Sequence, residues 1–126
     1  MGTKQGDVRL YDSSYNHLWT HNSDSSAFIS GVDFNQDSTY LVTGWSSSSK
    51  KVAIFNVGSN TIDTEVSTSG ADVYSVDWNE DGSVFVYGMN GRSMINNGSV
   101  GYFTQNLVTH TYPSDLTYSV DFSYNS

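Results

Sequence analysis

Three stretches of this chain carry one pattern at one spacing: "ISGVDFNQDST" (29–39), "VYSVDWNEDGS" (73–83) and "TYSVDFSYNS" (117–126). Phe34, Trp78 and Phe122 hold the same place in the three copies, each 44 residues from the next. Self-similarity at a period of this size marks a repeat architecture, in which one supersecondary unit recurs and buries itself against its neighbours. Every other segment has to fit that period.

Laid out this way, the chain gives four short strands per repeat, a to d. The a strands are expected at 29–34, 73–78 and 117–122. The b strands are expected at 39–44 and 83–88, with Gly44 and Gly88 again 44 apart. The c strands are expected at 8–11, 51–55 and 100–103. The weaker d strands, at 18–21, 61–65 and 106–110, keep register through Thr20, Thr64 and Thr109. Helix formers are few, while Ser, Thr, Asn, Asp, Gly and Tyr dominate, so the chain reads as all-β. In "KVAIFN" (51–56) both pleat faces are apolar: Val52 and Ile54 point one way, Ala53 and Phe55 the other. A sheet apolar on both faces needs a neighbour on each side. With no helix to serve, the neighbours must be further copies of the sheet, which is the arrangement of a β-propeller.

The segments "VYSVDWNEDGS", "KVAIFN" and "VRLYD" (8–12) resemble the first and third strands of WD-repeat propellers. The resemblance covers essentially the whole chain. It implies four-stranded antiparallel blades and a non-catalytic scaffold that binds other proteins. The Gly-His pair that the family carries before strand a is absent, as is the Asp of its b–c turn. "SSSSKK" and "NGRSMINNGS" stand there instead, so the family's buried His–Ser/Thr–Trp–Asp network is not expected.

The strands divide the chain into the end of one blade (1–26), two full blades (27–70 and 71–114) and the first strand of another (115–126). Propellers typically hold 4–8 blades, so this is a segment of an incomplete ring. An open stack would expose aromatic-rich blade faces, each Phe or Trp left in water forgoing roughly 1.5–3 kcal/mol. The terminal faces are therefore expected to lie against protein, either the rest of a parent chain or further copies of this one.

Strand direction alternates, so b–c and d–a connections share one end of the blades (the loop face). The a–b and c–d turns share the other (the turn face). Lys50, Lys51 and Arg92 belong to b–c connections. Asp12, Asp37, Glu80 and Asp81 fall on the turn face, which has no base. The longest b–c connection, "MNGRSMINNGS" (89–99), carries Met89, Arg92 and Met94. Trp45 opens the corresponding loop one repeat earlier, and Tyr112 lies in a d–a loop. Trp45, Lys50, Lys51, Met89, Arg92, Met94 and Tyr112 are thus the candidate partner-binding residues. The recurring Asp of strand a, at Asp33, Asp77 and Asp121, has two readings: an acidic ring in a central channel, or a locally hydrogen-bonded side chain.

His21, Glu65 and His110 are equivalent residues of different blades, so no shared metal site is expected of them. No Ser-His-Asp set, carboxylate pair or Gly-rich phosphate loop stands out, and neither a catalytic site nor a cofactor is expected. The formal net charge of −8 argues against nucleic acid as a partner. No apolar run reaches the roughly 18–20 residues of a membrane span. Trp45 is matched by Met89 one repeat on, so aromatic sugar platforms do not recur, and a glycan is the weaker alternative to a protein partner. A cytoplasmic location is favoured, and an extracellular one stays open.

Overall fold

The computed structural model describes residues 6–22 and 27–116, with side chains through Thr111. The expected strand at 117–122, with Val120, Asp121 and Phe122, and the side chain of Tyr112 lie outside the described residues. Among the described residues nine strands follow one another: β1 (Val8–Tyr11), β2 (His17–His21), β3 (Ala27–Phe34), β4 (Tyr40–Ser47), β5 (Lys51–Asn56), β6 (Thr61–Ser67), β7 (Val73–Trp78), β8 (Val84–Asn97) and β9 (Asn106–Leu116). The described residues are all-β, without a helix. They form three antiparallel sheets, ordered β1-β2, β3-β4-β5-β6 and β7-β8-β9.

The middle sheet is the full unit that the sequence implies. Its register pairs Phe34 with Leu41, Leu41 with Phe55, and Ile54 with Thr64. Both faces are buried. On one face Val42, Val52, Ile54 and Val66 pack against Val73, Val76, Trp78, Phe85, Tyr87 and Met89 of the third sheet. On the other, Leu41, Trp45, Ala53 and Phe55 pack with Val8 of the first sheet. Trp19 stacks on Phe55 at 5.9 Å. Blade lies on blade, as a strand apolar on both faces requires. The approach is close at Gly44, where a Cβ would stand 2.7 Å from a Val73 methyl.

The repeated aromatic of strand a behaves unequally. Trp78 and Val76 are buried as expected, whereas Phe34 is 41% exposed and Val32 only partly covered. The reason is what lies opposite. Trp78 faces the complete middle sheet, while Phe34 faces the side where β1 and β2 are the described strands.

The third sheet corrects the sequence reading. There is no strand at 100–103, and residues 89–97 are not a loop. β8 runs 14 residues, which if straight would span about 46 Å. Yet Gly98 N, just past its end, donates to the Ser83 carbonyl, just before its start, at 2.8 Å. β8 is therefore folded back on itself, bending at Asn90-Gly91, where Gly91 takes φ +77°. Its first half pairs with β7 and its second half, Arg92–Asn96, with β9. The second half is the third strand of the unit. It escapes notice because "RSMINN" lacks the apolar alternation of "KVAIFN", although Asn-Gly is the strongest short hairpin signal. Asn96 stands opposite Phe85 where Phe55 stands opposite Leu41. The aromatic missing there comes from the following loop: Phe103 is buried, 5.9 Å from Trp78 and 5.2 Å from Tyr40. Asn96 donates to the Phe103 carbonyl at 3.0 Å and accepts from Asn106 at 3.1 Å. Burial pushes the neighbouring Tyr87 hydroxyl up to about 12.

Candidate functional site

The loop face is closed on itself. Its centre is the d–a connection Thr68–Asp72. The Asp72 carboxylate accepts from Ser47 N at 2.8 Å and lies 4.0 Å from Lys50 Nζ. The Asp72 carbonyl accepts from Asn90 N at 3.2 Å. The Thr68 carbonyl accepts from Arg92 Nη2 at 3.3 Å. Thr68 Oγ1 shares its proton between the carbonyls of Ala71 (2.7 Å) and Lys50 (3.0 Å). One connection thus ties together the b–c bends of two blades.

The residues expected on loops there are mostly not on loops. Trp45 is fully buried and Met89 nearly so, because β4 and β8 run on past Gly44 and Gly88. Trp45 continues the inward series Leu41, Thr43, Trp45. Its Nε1 donates to Thr43 Oγ1 at 2.7 Å, and that hydroxyl donates to the Ala53 carbonyl at 2.8 Å. Lys51 Nζ sits 4.7 Å from the Trp45 ring centroid and 2.7 Å from Glu65 Oε1. Met94 is half-buried against the core that Tyr87 and Met89 belong to. Of the expected set, the structure brings together Lys50 and Arg92 around Thr68–Asp72, and Lys51 over Trp45. Asp33 reaches across blades: its Oδ2 accepts from Trp78 N of the next blade at 2.7 Å.

The turn face is open. Its acids brace the turns that carry them. Asp37 Oδ1 accepts from Thr39 Oγ1 at 2.6 Å, and Asp81 Oδ1 from Ser83 N at 2.9 Å. Asn35 and Asn79, again 44 apart, close the same turns by accepting from Tyr40 N and Val84 N. Asp12 holds the β1–β2 turn through Ser14 N and Asn16 N. These bonds favour the ionised form and hold all three carboxyls below the ordinary aspartate value. Large apolar side chains stand among them in water: Tyr15 is 89% exposed, Tyr102 61% and Val100 60%. An open groove of about 520 Å³ runs between the a–b and c–d turns of the middle sheet, lined by Ser38, Thr39, Tyr40, Asn56, Val57 and Gly58. Val100 and Tyr102 read in sequence as residues of a third strand; the turn signal of Gly98 before them and Gly101 between them is what places them on a loop.

A family model matches this architecture: that of the anaphase-promoting complex subunit 4 WD40 domain, over residues 1–81. The chain belongs to the WD40 family. The match ends in the turn before β8, where the strand pattern departs from the preceding repeat. No curated protein matches the chain. WD40 domains are protein-interaction scaffolds and are generally non-catalytic. Among the described residues, no helix is long and apolar enough to cross a membrane.

Proposed function

We propose that this WD40 chain is a non-catalytic docking module that holds a basic protein segment on its turn face. One observation carries the reading. Tyr15, Val100 and Tyr102 stand exposed on the turn face, whose connections among the described residues carry Asp12, Asp37, Glu80 and Asp81 and no Lys or Arg. On the loop face, by contrast, Trp45 and Met89 are buried, and Phe28 at the start of β3 is the large apolar side chain described as exposed, at 47%. Exposed apolar groups rimmed by polar ones mark interaction sites, and Tyr is favoured in interface cores. The acidic surround, in a chain of net charge −8, steers positive partners toward it. The partner expected is a Lys/Arg-containing segment with an apolar anchor for the groove at Tyr40.

Selection of random displayed peptides on the folded chain tests this. The expected binders are rich in Lys and Arg, lose affinity as salt is raised, and fail on the double variant Val100→Ser, Tyr102→Ser. Binders that survive that variant but fail on Lys50→Ser, Arg92→Ser would move the site to the loop face and overturn the reading.

A further inference from the structure

The chain holds two Asn-Gly pairs, Asn90-Gly91 and Asn97-Gly98, and the fold treats them in opposite ways. In such a pair the glycine, having no side chain, leaves its backbone nitrogen open to approach the asparagine amide. Asn97 and Gly98 are locked. Asn97 Nδ2 donates to Gln105 Oε1 at 2.8 Å, and Asn97 Oδ1 accepts from Ser99 N at 2.8 Å. The Gly98 nitrogen is committed to the Ser83 carbonyl at 2.8 Å. The backbone is hemmed in as well: a Cβ on Gly98 would collide with the Gly82 carbonyl oxygen and stand 2.9 Å from Val84 N. Neither the nitrogen nor the amide can turn toward the other without breaking these contacts.

Asn90 and Gly91 form the bend of the β8 hairpin. Asn90 is exposed, and no described residue bonds its side-chain amide. Gly91 falls in a register break between Asn90 and Arg92, without a cross-strand partner, in a left-handed conformation. We propose that Asn90 is a spontaneous deamidation site of the folded chain and that Asn97 is protected. The Gly91 backbone nitrogen attacks the Asn90 side-chain carbonyl carbon. The C–N bond to the amide nitrogen breaks, and ammonia leaves with the proton given up by Gly91. Water then opens the five-membered imide at either carbonyl, leaving an aspartyl or an isoaspartyl linkage. The net change is amide plus water to carboxylic acid plus ammonia. The product places a carboxylate at the bend that carries Arg92, beside the connection whose Asp72 carbonyl holds Asn90 N. It shifts a face of internally paired charges toward net negative.

The test uses the unaltered chain. It is incubated in mildly alkaline buffer, folded in one sample and in concentrated urea in the other, and peptide mapping follows the mass gain of exchanging an amide NH2 for OH. In the folded chain, Asn90 is expected to convert at least about tenfold faster than Asn97, the ratio that disrupting one or two net hydrogen bonds would impose. In urea the two rates should converge, because both asparagines precede glycine. Equal rates in the folded chain would overturn the proposal, as would a tenfold difference that persists in urea.

Discussion

The two ends of the blades differ in how they use similar side chains. At the loop end, Trp45 and Met89 disappear into the core while Lys50, Lys51 and Arg92 are spent on partners within the chain. At the turn end, Tyr15, Val100 and Tyr102 stay in water and the carboxylates hold turns rather than bases. A large apolar residue near a strand end is buried when the strand runs one residue further and its pleat points inward. It is exposed when a turn intervenes. For Trp45 and Met89 against Val100 and Tyr102, the difference lies in strand length, not in residue type.

The largest effect that separates the two ends is expected from truncating an aromatic at each. Trp45→Ala removes a fully buried ring and should cost about 3–5 kcal/mol in urea unfolding, whereas Tyr102→Ala should stay within about 0.5 kcal/mol. Comparable costs would erase the distinction. A second contrast sharpens the picture of the turn end itself, whose c–d turns are unlike. Gly98→Ala puts a methyl into backbone atoms that cannot yield, and should cost about 1–3 kcal/mol. Gly58→Ala meets only the Asn56 side-chain oxygen at 3.6 Å and should change stability by less than about 0.5 kcal/mol. Thermal midpoints of the two variants would show whether the folded-back loop is as tight as described. Smaller still is Lys51→Met, which keeps the aliphatic stem but gives up an exposed ion pair and a cation–π contact. A loss of about 1 kcal/mol is expected, and it should shrink in high salt.

Titration separates the ends by pH. Burial, with Lys51 nearby, lowers the His21 imidazole below its ordinary 6.5. Its contribution to stability is full above that value and is lost as the pH falls from there through the lowered folded value. On the turn face, hydrogen bonds lower Asp12, Asp37 and Asp81 below 3.8. Their contribution is full above 3.8 and is lost only at more acid pH. Denaturation midpoints followed against pH should therefore fall in two stages. His21→Gln should remove the upper stage, and Asp37→Asn with Asp81→Asn should weaken the lower. Loss of both stages in one variant would show that the assignments are wrong.

Much of this was legible in the 44-residue period. It placed the two a strands that fall within the described residues, the middle sheet and the turn box Asn-x-Asp-x-Thr/Ser at 35–39 and 79–83, because local turn chemistry and pleat alternation repeat there in sequence. Three things were not. The third strand of the last sheet hides because Arg92–Asn97 is polar and its aromatic filler, Phe103, arrives from a loop. The burial of Trp45 and Met89 depends on where β4 and β8 end, which hydrogen bonding to the next strand decides. Phe34 repeats Trp78 in sequence but not in surroundings, and burial belongs to the surroundings. The proposed surface differs from the expected loop-face set for the same reason: charge placement is readable in sequence, whereas exposure is not.

The chain has no cysteine, so single thiols can report on both ends directly. Met89→Cys and Tyr102→Cys, each treated with a water-soluble thiol reagent under native conditions, test the central claim that Tyr102 stands open on the turn face while Met89 at the loop end is buried. The account predicts rapid labelling at position 102 and labelling at position 89 only on the timescale of unfolding. Equal, rapid labelling at both positions would contradict it.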